Sequence, residues 1–578
     1  MRHFLLSLGL VSMLGISAAH AQTPAWQWGA QSVNPTPTNE TEARSYAIAT
    51  DAAGNSYMGL GLQARNGVSA VRNFGTTSLT STDISGVVAK LNAAGQWQWA
   101  TAVSALDANG STIVFVSNVV ASPAGDVFVT GSVDEDATSI RVGTVTLNLT
   151  GSNLEQRTFV ARLNSSGQCT WLIAINDVDA GDMALNPVNG ELVLTGDYRG
   201  AATIGTTTLP APVGTNDSGL FVARLSQAGQ WTSALSVRTS GTGDVSGEEL
   251  SVGPQGQVAV AVVVENGSAT LGSTTINAST ADKTAVAQLT PAGQWQWAVQ
   301  SSSSSTSLSV NGLEYDASGN LWVLNTNNAG SQLGTITLPT GTIGFIGRLS
   351  PAGAWNLAGS ITSQGGSFPG GSKLAVDELG NPVIAGLLEG TTNPTTSYSF
   401  GTRTLSFTER GSYVARFNTA GQWQYAIKPP TATSNINSSN TYSFNSIALD
   451  RAGNLLTLGN IFSSTVTFGT TVLTGSYRDI FVAKLANAGA TLGVRQAAGA
   501  QPLALYPNPV TAGAAATLRL AAPASAAQPI TLRNTLGQIV RESGVAAGRQ
   551  EATVATEGLA PGVYLLETGL SRAQVVIQ

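Results

Sequence analysis

The phrase Gly-Gln-Trp recurs along the chain, and this recurrence constrains the possible folds more than any other feature. Nearly the same eight letters stand at 93–100 (AAGQWQWA), 291–298 (PAGQWQWA) and 419–426 (TAGQWQYA). A short apolar phrase precedes this position in seven places: VVAKL at 87–91, FVARL at 159–163 and 221–225, AVAQL at 285–289, FIGRL at 345–349, YVARF at 413–417 and FVAKL at 481–485. Self-similarity at a nearly fixed spacing predicts a repeat architecture, here of seven units.

Two further phrases recur with the same spacing. An apolar-Gly-Thr/Ser phrase begins at Phe74, Val142, Ile204, Leu271, Leu333, Phe400 and Phe468. An Asp-x-x-Gly-Asn phrase is clear at 51–55, 316–320, 377–381 and 450–454, with looser versions at 122–126, 186–190 and 253–257. Short runs rich in Val, Ile, Leu and Thr between such Gly and Asn residues are typical of strands joined by turns.

The Gly-Gln-Trp phrase is predicted to begin the second strand of a β-hairpin. Pro291 stands at the second position and Gly293 at the fourth position of the connecting turn, as a type I turn prefers. Trp97 and Trp99 are two residues apart, so we expect both to face the same side of their strand and to cover the neighbouring sheet. One unit is then a four-stranded antiparallel meander of about 66 residues.

These units predict an all-β fold, a seven-bladed β-propeller of four-stranded antiparallel blades over residues 22–497, since propellers repeat such sheets radially. An extra Trp phrase, PAWQWGA, stands at 24–30, before the first full unit. The last unit ends in a degraded copy with Thr491 and Gly493 in place of two Trp. We expect the N-terminal strand to complete the seventh blade from outside; the alternative is closure by the degraded copy.

The three recurring phrases resemble those of the secreted bacterial β-propeller repeats known as SBBP-type seven-bladed propellers. The resemblance covers about residues 24–497 and rests on the Asp-x-x-Gly-Asn, Phe-Gly-Thr-Thr and Phe-Val-Ala-Lys phrases. It implies a fold and not an activity, because propellers host unrelated functions.

The composition changes after Ala497, where a small-residue linker at 498–502 leads to a segment at 503–578 that is expected to form a small β-sandwich. This segment resembles the type A C-terminal sorting domain of type IX secretion substrates in Bacteroidetes. The matching stretches are Tyr506-Pro507-Asn508-Pro509, Leu536-Gly537-Gln538-Ile539-Val540 and Pro561-Gly562-Val563-Tyr564-Leu565. Arg572 and Gln574 depart from the pattern, which usually has a Lys there. The resemblance implies the type IX machinery as a partner, export across the outer membrane, removal of the domain, and release or attachment to surface lipopolysaccharide.

Residues 1–21 are predicted to be a secretory signal peptide. Arg2 precedes a short apolar run, and Ala19-His20-Ala21 is a small-x-small cleavage site. No other stretch has about 20 continuous apolar residues, so no membrane-spanning helix is expected in the mature chain. The expected location is therefore outside the cell or on the outer-membrane surface.

The residues that are absent exclude several classes of function. Both histidines, His3 and His20, lie in the predicted signal peptide. A Ser-His-Asp triad and a His-ligated metal site are then excluded from the mature protein. Without Arg2, Lys and Arg fall from 27 to 26 against 33 Asp and Glu, a net charge of −7, and no basic stripe suggests nucleic-acid binding. No catalytic residue, cofactor site or metal site is predicted, and we expect a monomer.

One long polar residue ends each FVAKL-type phrase. The set is Lys90, Arg162, Arg224, Gln288, Arg348, Arg416 and Lys484. A cationic ring for an anionic ligand is one interpretation, and ion pairing with the Asp of the Asp-x-x-Gly-Asn phrase is the other. Pairing is favoured because an unpaired buried Arg is costly and because unit four lacks both charges, having Gly253 and Gln288. The expected pairs are Asp316/Arg348, Asp377/Arg416 and Asp450/Lys484, while units two and three keep the Arg without the Asp.

Two acidic clusters and one thiol were weighed as sites. Asp177, Asp179 and Asp182 form one cluster, and Asp134, Glu135 and Asp136 form the other. Neither has an EF-hand spacing, so solvated loops are favoured over calcium. Cys169 replaces a Trp within a strand and is expected to be a buried, inert thiol.

The function favoured from the sequence is a non-catalytic surface or secreted module that binds a glycan or a protein, or coats the cell. The variable loops at 301–309 and 429–443 are low-complexity Ser/Thr segments, which argue against a finely built active site. The main alternative is a carboxylate-based glycan hydrolase or lyase in the central depression, because that chemistry needs no histidine. A passive structural repeat is the third interpretation.

Overall fold

The described part of the chain is all-β, as predicted, with antiparallel sheets throughout. The computed structural model describes residues 24–36, 41–106, 113–134, 136–151, 157–300, 310–326, 332–364, 372–390, 395–434, 442–486, 488, 504–520, 522–524, 527–533, 539–560, 562–568 and 571–578. These residues form two compact units, one on each side of position 490, described separately below. Several predicted features lie outside the described residues: the predicted signal peptide, the predicted linker, Thr491 and Gly493, Glu135, Leu536 to Gln538, Pro561 and the loop at 301–309.

The larger unit opens with the extra strand β1 and continues with repeats one to three. β1 is Ala25–Gln31. Repeat one is β2 (Thr41–Thr50), β3 (Ser56–Ala64), β4 (Ala70–Phe74), β5 (Thr77–Ser81), β6 (Ile84–Leu91) and β7 (Trp97–Leu106). Repeat two is β8 (Asn118–Ala121), β9 (Val127–Ser132), β10 (Ser139–Val142), β11 (Val145–Asn148), β12 (Arg157–Leu163) and β13 (Cys169–Asn176). Repeat three is β14 (Val178–Leu185), β15 (Leu192–Arg199), β16 (Ala202–Ile204), β17 (Thr207–Leu209), β18 (Ser218–Leu225) and β19 (Trp231–Val237).

Repeats four to six follow with the same order of strands, whereas repeat seven begins with an additional short strand. Repeat four is β20 (Asp244–Val252), β21 (Val258–Glu265), β22 (Ser268–Leu271), β23 (Thr274–Asn277), β24 (Lys283–Leu289) and β25 (Trp295–Gln300). Repeat five is β26 (Val310–Tyr315), β27 (Leu321–Thr326), β28 (Gln332–Leu333), β29 (Ile336–Thr337), β30 (Thr342–Leu349) and β31 (Trp355–Ser363). Repeat six is β32 (Lys373–Val376), β33 (Pro382–Leu388), β34 (Thr396–Phe400), β35 (Arg403–Phe407), β36 (Gly411–Phe417) and β37 (Trp423–Ile427). Repeat seven begins with the short strand β38 (Thr433–Ser434) and has β39 (Tyr442–Leu449) as its first main-sheet strand, followed by β40 (Leu455–Ile461), β41 (Ser464–Phe468), β42 (Thr471–Thr474) and β43 (Asp479–Ala486).

Each repeat has a main antiparallel sheet of four strands, the fourth of which is β1 in repeat seven, and a two-stranded hairpin. The hairpins of repeats two and six extend the main sheets of repeats one and five, and the hairpin of repeat seven pairs with β38. In repeat three the main sheet has the order β14-β15-β18-β19, and β16 pairs with β17. The apolar-Gly-Thr/Ser phrase forms this hairpin, because its Gly adopts a positive φ between the two short strands, for example 62° at Gly205. The predicted simple meander is therefore corrected: the four-stranded sheet carries an inserted hairpin between its second and third strands.

The N-terminal strand pairs with the last repeat, as the sequence predicts. β1 lies antiparallel to β43, and the resulting sheet has the order β1-β43-β40-β39. Gln31 reinforces this pairing through two side-chain hydrogen bonds to the backbone of Thr474, at 3.0 and 2.9 Å. The outer strand of repeat seven thus comes from the opposite end of the large unit.

The apolar core is divided among the junctions between neighbouring repeats. Seven clusters of buried side chains each combine residues from two repeats, and one of them joins repeat one to repeat seven through Val87, Leu91, Leu456 and Val482. The first strands of the repeats also contact one another in order, and β39 of repeat seven contacts β2 of repeat one. Every repeat therefore buries its sheet against two neighbours.

The smaller unit has two sheets around one core. Its strands are β44 (Ala504–Tyr506), β45 (Ala515–Arg519), β46 (Gln528–Arg533), β47 (Ile539–Val545), β48 (Glu551–Ala555), β49 (Gly562–Thr568) and β50 (Ser571–Ile577). The sheet orders are β44-β45-β48 and β47-β46-β49-β50. Leu518 of the first sheet and Ile530 and Leu566 of the second are buried in the same apolar cluster. Within the described residues of both units, no helix is long and apolar enough to span a membrane.

Candidate functional site

The strand that carries the Trp phrase has a β-bulge in every repeat. In repeat one Trp97 pairs with Leu91 and Trp99 pairs with Lys90, so one extra residue, Gln98, lies between them. Adjacent positions on a strand face opposite sides of a sheet, and paired residues share a side. Trp97 and Trp99 therefore face opposite sides, and the prediction that they face the same side is wrong, because the bulge inserts a residue.

The first Trp of the phrase anchors the hairpin of its own repeat. The Trp97 indole lies 5.1 Å from the Phe74 ring and donates from Nε1 to the carbonyl of Gln31 at 3.1 Å. In repeat seven this place is taken by Trp26 of β1, whose ring lies 4.9 Å from that of Phe468. The N-terminal strand therefore supplies the side chain that the degraded copy lacks.

The second Trp of the phrase reaches the next repeat. Trp99, Trp171 and Trp297 donate from Nε1 to the carbonyls of Ser165, Gln227 and Pro351 at 3.0, 2.9 and 3.1 Å. These acceptors lie in the turn that precedes the next Trp phrase. That turn needs a small residue, because a Cβ on Gly167, at φ 80°, would lie 2.6 Å from the Trp99 indole. Coverage of a neighbouring sheet is thus confirmed for the second Trp.

The predicted ion pairs form in two of three repeats. Arg416 lies 2.7 Å from Asp377, and Lys484 lies 2.9 Å from Asp450. Repeat two also has a pair, since Arg162 lies 2.9 Å from Asp126 at the end of its turn, and this corrects the prediction that it lacks an acid.

The predicted pair between Asp316 and Arg348 is wrong. Trp322 stands opposite Arg348 in the adjacent strand and places its indole 5.4 Å from the guanidinium. Arg348 donates instead to the side chain of Asn356 at 2.8 Å, and Asp316 accepts hydrogen bonds from Asn320 in its own turn. The large indole therefore diverts this guanidinium from the turn carboxylate.

The acidic cluster of Asp177, Asp179 and Asp182 is not gathered around one point. Asp179 accepts a hydrogen bond from Ser132 at 3.1 Å, whereas Asp182 faces a cavity described below. No group of three or more His, Cys, Asp or Glu in the described ranges is arranged to hold a metal ion. Cys169 is half-buried rather than buried as predicted, and its burial raises the pKa of the thiol to about 11, which disfavours the reactive thiolate.

A cavity of about 520 Å³ lies where the first strands of all seven repeats approach one another. Its lining comes from β2, β8, β14, β20, β26, β32 and β39. Bulges in these strands, such as the one between Gly247 and Leu250, alter which side chains point inward. Concave sites of about 300–1,000 Å³ are typical of small-molecule binding.

Four charged residues line this cavity, one from each of four consecutive repeats. They are Asp182, Glu249, Glu314 and Lys373. Lys373 Nζ lies 3.0 Å from a Glu249 oxygen, and Glu249 is the main cause of the raised pKa of Lys373. The cavity therefore holds one ion pair and two further carboxyl groups.

Those two carboxyl groups are held toward their neutral forms. Burial, and then the charge of Glu249, raise the pKa of Asp182 to about 8, although Asp182 accepts hydrogen bonds from the backbone of Leu250 and Met183, both at 2.8 Å. Burial and Glu249 likewise raise the pKa of Glu314 to about 7. Near neutral pH both carboxyl groups are therefore shifted toward the protonated form, which can also donate a hydrogen bond.

From the sequence, Asp182 is a candidate only as a calcium ligand, and Glu249, Glu314 and Lys373 are not among the predicted site residues. A signal was nevertheless present. The position four residues before each Asp-x-x-Gly-Asn-type turn is occupied in repeats one to seven by Ala47, Asn118, Asp182, Glu249, Gly312, Lys373 and Ser446. This position is charged in repeats three, four and six and uncharged in the others, and the three charged residues line the cavity.

Comparison with known proteins identifies the smaller unit. Residues 504–577 match the model of the secretion system C-terminal sorting domain. This domain marks proteins exported by the type IX system to the cell surface or secreted, so the chain is a substrate of that system. No curated protein sequence matches the chain significantly.

Two solved structures illustrate the level of similarity. A protein of unknown function from Dyadobacter fermentans is 10% identical, with 79% of this chain and 98% of that chain covered and a TM-score of 0.34. A fungal alcohol oxidase of the AA5 family, in complex with copper, is 11% identical, with 79% and 95% covered and a TM-score of 0.28. Scores at this level carry no argument about fold or function.

Proposed function

We propose that residues 22–497 form a seven-bladed β-propeller that acts outside the cell as a non-catalytic binding module, with the cavity as its glycan-binding site. Export begins with a signal peptide at 1–21 and is completed by the type IX machinery in a Bacteroidetes cell. The sorting domain is then removed, and the propeller is released or attached to the surface.

The cyclic order of contacts supports the propeller. Seven junction cores link seven repeats, including repeat seven to repeat one, and β1 completes the last sheet. In a propeller the first strand of each blade lines the axis, and the first strands here surround one cavity.

The observation that carries the binding function is the lining of this cavity. It combines an ion pair, two carboxyl groups and, on the opposite wall, uncharged polar side chains such as Thr50, Ser117 and Ser446. Such groups can donate and accept hydrogen bonds with the hydroxyl groups of a glycan. A volume of about 520 Å³ suits a short oligosaccharide better than a protein surface.

A glycan-array screen and an activity screen on the full chain test this proposal. We expect saturable binding of a glycan without product formation, and we expect Glu249→Gln to reduce it. The matched control is Glu248→Gln, because Glu248 is the exposed neighbour in the same bulge and does not line the cavity. Equal binding by both variants would show that the ligand binds outside the cavity. No binding and no activity in the two screens would favour a passive structural repeat.

A carboxylate-based glycan hydrolase or lyase is the second candidate, and one observation favours it. Burial raises the pKa of Asp182 and so shifts it toward its acid form, while Glu249 in the same cavity is ion-paired with Lys373. An acid and a carboxylate in one cavity perform acid and base chemistry in glycosidases. Product release that is lost in both Asp182→Asn and Glu249→Gln, with Glu248→Gln active, would establish this function in place of the first.

A further inference from the structure

The charges in the cavity are confined to one side of it. Asp182, Glu249, Glu314 and Lys373 come from repeats three to six. The lining from repeats seven, one and two contains no Asp, Glu, Lys or Arg, and Tyr46 is its single titratable side chain. A ligand that fits both walls therefore has one charged end and one neutral, polar end.

The charged wall has more negative than positive groups. Three carboxyl groups face one ammonium group, and the Glu249–Lys373 contact uses one carboxylate. Asp182 accepts backbone hydrogen bonds, and Glu314 has neither a hydrogen bond nor an ion pair with any described residue. The wall can thus receive positive charge, and Glu314 is the group that is free to do so.

Lys373 shows which kind of cation this wall accommodates. Its ammonium group lies 3.0 Å from Glu249, and Glu249 and Asp182 both raise its pKa, so the wall favours a charged amine. A divalent metal ion is a poorer fit, because these carboxyl groups do not form a metal-binding cluster. An organic ammonium group needs only single hydrogen bonds to separate carboxylates.

We propose that the ligand of the cavity carries an ammonium group, which contacts Glu314 beside the Glu249–Lys373 pair, while its hydroxyl-bearing end lies against Thr50, Ser117 and Ser446. This inference rests on the proposed glycan-binding function and specifies its ligand class as an amino sugar. A polyamine offers the same ammonium chemistry without the hydroxyl groups.

Isothermal titration calorimetry of the full chain near neutral pH tests the inference with four probes. The probes are a glucosamine tetrasaccharide, an N-acetylglucosamine tetrasaccharide, cellotetraose and spermidine. We expect the glucosamine tetrasaccharide to bind at least about tenfold more tightly than its N-acetylated form, since acetylation removes the charge. Tighter binding of spermidine than of any sugar would overturn both the amino-sugar inference and the proposed glycan function, and would identify the cavity as a polyamine site.

Variants of the cavity residues test where the ligand binds and whether the loss of a charge weakens or strengthens its binding. We expect Glu314→Gln to weaken glucosamine binding by about tenfold and Lys373→Met to strengthen it, because the second change frees Glu249 for the ligand. Glu248→Gln is expected to leave the affinity unchanged. Circular dichroism of each variant checks that it is folded.

Three results would overturn the inference. If a neutral tetrasaccharide binds as tightly as the glucosamine tetrasaccharide, or more tightly, the inference is overturned. The proposed glycan-binding function then remains intact. Unchanged affinity for the glucosamine tetrasaccharide in Glu314→Gln and Lys373→Met would show that the ligand does not bind at the charged wall. No binding of any of the four probes would overturn the inference and the proposed glycan function together.

Discussion

The indole of Trp28 covers Gly95, so that a Cβ on Gly95 would lie 2.7 Å from the indole ring. Trp28 belongs to the N-terminal strand, and Gly95 lies in the turn of repeat one. The same contact joins Trp99 to Gly167 and Trp297 to Gly353 at other junctions. The backbone of β1 therefore pairs with β43 of repeat seven, while its Trp28 side chain contacts repeat one.

Deletion of residues 22–34 is expected to lower the melting temperature clearly. The deletion removes the outer strand of the last sheet and both of its Trp side chains. Trp28→Ala alone should cost about 2 kcal/mol, because part of an aromatic contact is lost. Thermal unfolding followed by circular dichroism measures both. Gln27→Ala, an exposed neighbour, is the control, and an unchanged midpoint in the deletion would show that β1 is dispensable.

Ser233→Trp is expected to stabilise the protein by about 1 kcal/mol. Ser233 stands where repeats one, two and four have the second Trp, and no atom lies within 4 Å of a Cβ built on Gly293 in the facing turn. An indole at 233 can therefore cover that turn. Thr232→Trp, one residue away and also exposed, is the matched control in the same melting experiment. A lower midpoint for Ser233→Trp than for the control would show that the junction has no room for the indole.

Double-mutant cycles should distinguish a turn carboxylate that forms an ion pair, such as Asp377, from one that does not, such as Asp316. Asp377 and Arg416 are nearly buried and lie 2.7 Å apart, so we expect a coupling energy of about 1 kcal/mol or more. Asp316 and Arg348 have separate partners and should show additive effects. Chemical denaturation of the four single and two double alanine variants gives both values. Strong coupling for Asp316 and Arg348 would contradict the role assigned to Trp322.

Stability is expected to fall as the pH rises from about 5 to 8. The pKa values of Asp182 and Glu314 are raised to about 8 and about 7 in the folded protein, so the folded state binds more protons than the unfolded state in this window. The stability is fully present below the unfolded pKa values and is lost as the pH passes the folded ones. Melting temperatures measured across this range should decline in the wild type and flatten in the Asp182→Asn, Glu314→Gln double variant. A parallel decline in both proteins would assign the effect to other groups.

The repeat pattern was readable from the sequence because strands and turns are local. Gly293 and Pro291 identify a turn from two neighbouring letters, and seven copies reinforce one another. The bulge at Gln98 was not predictable, since a bulged residue has no distinctive letter and only the pairing with Lys90 and Leu91 reveals it. The pairing of β1 with β43 was predicted because the count of Trp phrases exceeded the count of repeats by one.

The ion pairs and the cavity show where single-sequence reasoning stops. Asp316 and Arg348 have the same letters as the pair in repeat six, but Trp322 in the strand next to Arg348 changes the outcome. Asp182, Glu249 and Glu314 are far apart in sequence, so their shared cavity depends on how the repeats are placed around it. Such long-range placement is set by the junction cores and not by any one phrase.

The pairing of β1 with β43 also bears on the order of folding. Gln31 and Thr474 are separated by 443 positions, so β1 has no backbone partner until almost the whole repeat array has been made. Contacts of such long sequence separation form late, because a large loop must close first. An array that is cut short before repeat seven would leave β1 without its strand partner and Trp26 uncovered, in a form open to proteolysis or aggregation. The last sheet therefore distinguishes a completed array from an incomplete one.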